Sequence, residues 1–181
     1  PKSTYLIQEE PTGMGDAVFK ASNKLPSFNH MLVVWGDQVS LSKKTLEKVI
    51  TSHIDSGRFC TIPLVKLNNP YVHYEVDKFN NFIELLQERE GDLLPGIGYS
   101  DIGIFLLNTE NLQQEWKTYL ELSSKLGRKT QEVNFLPFLY FLANSGKEMN
   151  FIYVDDPIES LGMNTPSQLE VLRNALEKRG Q

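Results

Sequence analysis

The chain has 181 residues, 40% hydrophobic and 23% charged, with a formal net charge of −5. That is room for one domain with a sizeable core and too little for two ordinary ones. The acidic balance excludes a binder of nucleic-acid backbones, which needs a basic surface against the phosphates.

Apolar runs fall short of the roughly 20 residues that span a bilayer, and no signal-peptide pattern opens the chain. Cys60 is the only cysteine, so no internal disulfide can form and a cytoplasmic setting is expected. The chain opens on Pro1 rather than Met, which reads as a truncated or processed chain.

Tyr5-Leu6-Ile7 reads as a strand, Pro11 to Gly15 as a glycine turn, and Asp16 to Leu25 as a helix ended by Pro26. His30 to Trp35 is an unbroken run of apolar and β-branched residues, the pattern of a central strand buried on both faces, and it stops at Gly36-Asp37. Ser42 to Ile54 carries Leu46, Val49, Ile50, His53 and Ile54 on one helical face.

Phe59 to Val65 predicts a strand, and residues 71 to 87 a hairpin turning at Asp77 to Asn81. Gly91 to Gly98 reads as a loop and Asp101 to Leu107 as a strand. Leu112, Trp116, Tyr119 and Leu120 form the apolar face of a following helix; Glu132 to Asn144 is helical with Pro137 in its first turn; Phe151 to Val154 is the last strand. Thr165, Pro166 and Gln168 spell a capping box ahead of a final helix whose buried stripe is Leu169, Leu172 and Leu176. The alternation of β-type and amphipathic helical runs predicts a single α/β domain over residues 1–181 with a largely parallel sheet.

Three segments can carry chemistry. In the run Gln8 to Ala17, the glycines let backbone pass close to a ligand, and the Gln8 amide pairs a donor with an acceptor, as reading a nucleobase edge requires; a glycine turn before a helix is also simply a turn. Gly36-Asp37 lies beyond the carboxyl end of a strand, where ligands bind in open α/β sheets, and a carboxylate there can hold Mg²⁺ or merely cap a turn. Asn164, just ahead of the final helix, offers a hard carbonyl oxygen suited to the same ion, although Asn is also an ordinary turn residue. His30, His53 and His73 lack metal-ligand spacing. The acidic run Glu84 to Asp92 reads as a solvated strand end, with Glu88 and Asp92 as outside candidates for a sugar contact.

Together, Gln-x4-Gly-x-Gly-x-Ala after a strand, strand-Gly-Asp, and a late Gly-x-Asn resemble the sugar-1-phosphate nucleotidyltransferases, in particular the N-acetylglucosamine-1-phosphate uridylyltransferase domain. The likeness runs over nearly the whole chain and is strongest at residues 8–46 and 158–172. It implies a Rossmann-like three-layer fold with a mostly parallel central sheet. It implies Mg²⁺-dependent transfer of a nucleoside monophosphate from a nucleoside triphosphate to a sugar 1-phosphate, with release of pyrophosphate.

By the same resemblance Gln8, Thr12, Gly13 and Gly36 serve the nucleotide, Asp37 and Asn164 are the catalytic metal ligands, and Asp101, Glu132 and Asn134 stand where the sugar is contacted. The middle departs from the family: Pro70-Tyr71-Val72-His73-Tyr74 replaces a Gly-Tyr-Gly-Arg turn, and Tyr99-Ser100-Asp101-Ile102-Gly103 replaces Glu-Ile-Asn-Thr-Gly, so the sugar's identity is not carried over. The family's Thr-Arg-Met signature loop has no counterpart. The resemblance therefore implies about 50 to 80 preceding residues, a chain that by itself is weakly active or inactive, and as the alternative a non-catalytic regulatory or binding subunit of the same fold.

Overall fold

The structure, a computed structural model, describes residues 3–22, 28–122 and 126–179. In chain order the elements are α1 (Met14–Ser22), β1 (His30–Val34), α2 (Lys43–Ser56), β2 (Cys60–Asn68), β3 (Val72–Val76), β4 (Phe82–Gln87), β5 (Ile97–Asp101), β6 (Ile104–Asn108), α3 (Leu112–Leu122), α4 (Leu136–Asn144), β7 (Met149–Val154) and α5 (Pro166–Arg179), with short 3-10 turns at Glu88–Glu90 and Pro157–Ser160.

β1, β6, β2 and β5 form the path of a five-stranded sheet that β7 joins through β2, and β3 and β4 form a separate hairpin. Successive side chains in a strand face opposite sides, and both sides of this sheet are covered. Val65, Ile104 and Leu106 pack with Val49 of α2 on one face. Ile62, Leu64, Phe105 and Leu107 pack on the other with Phe19 of α1, Trp116 of α3 and Phe138 of α4. The α/β class and the layering of helices on both faces are as expected.

The mostly parallel sheet is not. Among the described strands only β2–β7 pair in parallel, whereas β1–β6, β2–β6 and β2–β5 are antiparallel. The strands that follow helices (β1, β2 and β7) do share one direction. The β5–β6 run is reached through a hairpin and a loop instead of a helix, and enters between β1 and β2 the opposite way. An apolar run carries no sign of strand direction, so the sequence pattern could not show the insertion.

The expected strand 101–107 is two strands broken at Ile102-Gly103. Residues 64–68 of β2 pair with β5, and Cys60 and Thr61 pair with β6. Between the two ladders lies Pro63, which has no N–H to donate, and opposite it Gly103 takes φ +74°.

Other expectations shift by less. β1 is buried on one face only: Leu32 and Val34 remain 40% and 44% exposed. Tyr5 to Ile7 form no strand and expose their side chains. On α2 the inward residues are Thr45, Val49 and His53, while Ile50 and Ile54 face outward. On α5 Leu172 is buried, but Leu169 is half exposed. Leu25, Pro26, Pro1 and Lys2 lie outside the described residues. No helix among the described residues is long and apolar enough to cross a membrane.

Candidate functional site

β1 ends by handing its backbone to Trp35, whose N–H donates to the Gly103 carbonyl at 2.9 Å and whose ring packs on Phe105 and Phe135. This anchors the exit of the strand and presents Gly36 and Asp37 at the rim of a cavity of about 800 Å³. Met14, Ala17 and Val18 of α1 form an apolar wall, and Gln87, Arg89, Asp101 and Asn134 line its polar part.

The segment 157–164 is brought to the same rim by a chain of polar contacts. Glu159 is 4% exposed and accepts from the Ser42 N–H at 3.0 Å and the Thr45 hydroxyl at 2.9 Å, at the start of α2. The Gln38 amide donates to the carbonyls of Ile102 and Glu159, and the Met163 N–H donates to the Asp37 carbonyl at 3.0 Å. Asn164 Nδ2 then donates to Asp37 Oδ2 at 2.9 Å, 127 residues apart in sequence.

Gly162 makes that approach possible, because a Cβ there would collide with the Asp37 carboxylate. The capping box appears in shifted form: the Thr165 hydroxyl accepts from the Gln168 N–H at 3.3 Å, while the Gln168 side chain accepts from the Asn164 N–H at 2.8 Å and so fixes Asn164 as well as the helix start. Gly36 differs from Gly162. A Cβ there would meet nothing within 4 Å, so no contact of the fold requires glycine at this point on the cavity's edge.

At the polar end Asp101 is 1% exposed. It accepts from the Tyr74 hydroxyl at 3.1 Å and the Gly103 N–H at 2.8 Å. Burial pushes its carboxyl above the usual range, against these two hydrogen bonds. Tyr71, absent from the sequence-derived candidates, also lines the cavity.

The sequence-derived candidates thus fall into two groups. Gly36, Asp37, Asp101, Asn134 and Asn164 share the cavity's lining; Gln8, Thr12, Gly13 and Glu132 do not. Glu132 pairs with Arg89, which does line it. Gln8 Nε2 is spent within its own loop, on Asp16 at 2.7 Å, Thr12 at 2.9 Å and the Gly13 carbonyl at 3.2 Å.

The glycine turn has a packing cause. Gly13 adopts φ +125°, and a Cβ there would lie 2.6 Å from the Val133 backbone, to which Thr12 and Gly15 are hydrogen-bonded. Glu88 is exposed, Asp92 lines a smaller adjoining cavity of about 290 Å³, and Glu90, expected to be solvated with the rest of its acidic run, is 5% exposed. His30 and His53, far apart in sequence, meet at 3.1 Å. No cluster of three or more His, Cys, Asp or Glu suited to a metal occurs among the described residues.

Asp37 and Asn164 thus meet at the cavity mouth. The chain resembles bifunctional GlmU proteins. It is 27% identical over 98% of its length to the bifunctional protein GlmU of Carboxydothermus hydrogenoformans. It is 26% identical to that of Acetivibrio thermocellus and 24% identical to that of Lactobacillus delbrueckii subsp. bulgaricus, again over 98% of its length. It spans 38–39% of the length of these relatives. No family model matches it. The similarity to GlmU and the central sheet with helices on both faces agree with a Rossmann-like nucleotidyltransferase fold.

Proposed function

We infer that the chain is a sugar-phosphate nucleotidyltransferase domain, whose reaction joins the nucleoside monophosphate of a triphosphate to a sugar 1-phosphate and releases pyrophosphate. The observation that carries this reading is the Asp37–Asn164 contact at the mouth of a cavity large enough for a nucleotide. The similarity to GlmU over 98% of the chain supports it.

The donor set fits Mg²⁺: Asp37 and Asn164 would supply a carboxylate and an amide oxygen, the hard ligands this ion takes. Asn164 now presents its nitrogen to Asp37, so holding the ion requires the amide to turn over and offer Oδ1. The ion, when bound, supplies neutralisation of phosphate charge. The protein's own part is alignment. In-line phosphoryl chemistry asks chiefly that the two reactants be positioned and charge be met.

The apolar wall from α1 and the Gly36 backbone suit a planar base and ribose. The polar end at Gln87, Asp101 and Asn134 suits a hydroxylated ring. Arg89 is the Lys or Arg side chain that lines the cavity among the described residues. Lys20 is instead paired with Asp16 at 2.9 Å.

Thermal scans with UTP, CTP, dTTP, GTP and ATP, each with and without Mg²⁺, test the reading. Binding to the native state alone raises Tm, and one triphosphate is expected to do so in a Mg²⁺-dependent way. Asp37→Ala, measured against its own starting Tm, should lose the Mg²⁺-dependent part of the rise. No shift with any triphosphate would overturn the assignment. Nucleotide binding without pyrophosphate release in the presence of sugar 1-phosphates would favour the non-catalytic alternative.

A further inference from the structure

Behind the cavity's polar end lies a buried carboxylate that the site as described leaves unused. Glu90 Oε2 accepts from the backbone N–H of Lys129 at 2.9 Å and of Thr130 at 3.4 Å, and Oε1 accepts from the Thr130 hydroxyl at 2.5 Å and Asn134 Nδ2 at 3.0 Å. Residues 127–134 wrap around this one side chain, closing at Gly127, where a Cβ would collide with Thr130, Glu90 and Asn134. Burial raises the Glu90 pKa, but the Thr130 hydroxyl, the two backbone N–H groups and the Asn134 amide together outweigh it and hold the carboxyl below its ordinary range. It is therefore an anion at neutral pH.

An ionised carboxylate only accepts hydrogen bonds. Asn134 must turn its nitrogen toward Glu90, and its oxygen consequently points the other way. That oxygen accepts no hydrogen bond from a described residue, and Asn134, although 3% exposed, borders both the main and the smaller cavity. Gln87 beside it is 6% exposed, borders the same two cavities, and makes no side-chain hydrogen bond among the described residues.

We propose that Glu90 is a positioning residue: it fixes the Asn134 amide so that this point of the cavity wall is an acceptor, and so selects a ligand with a hydroxyl or amide N–H there. This rests on the reading of the polar end as the sugar-phosphate site. A neutral amide at position 90 can donate as well as accept. Glu90→Gln therefore frees Asn134 to turn and offer its nitrogen to the ligand instead.

The test titrates wild type, Glu90→Gln, Asn134→Ala and the double variant with N-acetylglucosamine 1-phosphate and with Mg²⁺-UTP. Each single variant is expected to weaken sugar-phosphate binding about tenfold, the worth of one hydrogen bond. The double variant should bind no more weakly than Asn134→Ala alone if both act through one amide. Glu90 Oε1 also lies 3.8 Å from Arg89 Nε, and UTP affinity should be unchanged if loss of that charge does not act on the site through Arg89.

Additive losses, an equal loss of UTP affinity, or full sugar-phosphate affinity in Glu90→Gln would overturn the proposal while leaving the transferase reading intact. Should Glu90→Gln fail to fold, the side-chain amide NMR of the wild type decides. One Asn134 amide proton must be shifted downfield and slow to exchange, and a solvent-like Asn134 signal refutes the clamp. A wild-type protein that binds none of the five triphosphates and no sugar 1-phosphate refutes the transferase reading and this inference with it.

Discussion

Two glycines at the cavity rim separate packing from ligand recognition. Gly162 is needed for the Asp37–Asn164 contact, since a side chain there meets the Asp37 carboxylate; Gly36 faces open space. Gly162→Ala should therefore push Asp37 away from Asn164, lowering both Tm and the Mg²⁺ dependence of nucleotide binding. Gly36→Ala should leave Tm unchanged, or raise it slightly through the stiffer unfolded chain, while nucleotide affinity falls because the ligand meets the new methyl group. Thermal scans of the two variants with and without Mg²⁺-nucleotide check this, and equal Tm losses would remove the argument that Gly36 is there for a ligand. The sequence pointed to Gly36, Asp37 and Asn164 because short motifs sit beside element ends. It could not point to Glu90, which reads as one more acid in a charged run until the 127–134 segment is seen folded around it.

At the scale of elements, α2 is tied to the sheet by a polar seam as well as by Val49. His53 is 1% exposed; its rings' two nitrogens meet His30 at 3.1 Å and the Thr61 hydroxyl at 2.9 Å. Asn150 Nδ2 reaches Thr61 at 3.2 Å from β7. Burial lowers the His53 pKa, and the neighbouring His30 adds to the effect. The unfolded chain therefore takes up this proton first. Stability is full where His53 is neutral in both states and falls as pH drops below about 6.5, the unperturbed histidine value. Tm measured between about pH 7.5 and 5.5 should decline, and His53→Gln should remove that part of the slope; a slope unchanged in the variant would assign it to other groups. The sequence placed His53 correctly on the inward face of α2, but it gave no reason to connect it with His30.

For the whole molecule, most of the aromatic packing lies on one face of the sheet. Phe138, fully buried, contacts Phe19, Trp116 and Tyr119, and so joins α1, α3 and α4. Phe138→Ala should cost roughly 3–5 kcal/mol and lower Tm by on the order of 10 °C for a domain of this size. Because α1 and α4 also wall the cavity, nucleotide affinity should fall in the same variant. A loss confined to stability, read by parallel denaturation and binding titrations, would show that the wall holds its shape without this ring.

Local residue chemistry determined the class, most helices and the hairpin, because side-chain periodicity and turn residues act within a few positions of one another. Motif spacing marked both partners of the Asp37–Asn164 contact. Only the tertiary structure decided strand direction, the split of β5 from β6 opposite Pro63 and the assembly of the polar wall around Glu90. Each of these joins residues distant in sequence, where pairing depends on which backbone and side-chain groups remain unsatisfied once the chain has closed on itself.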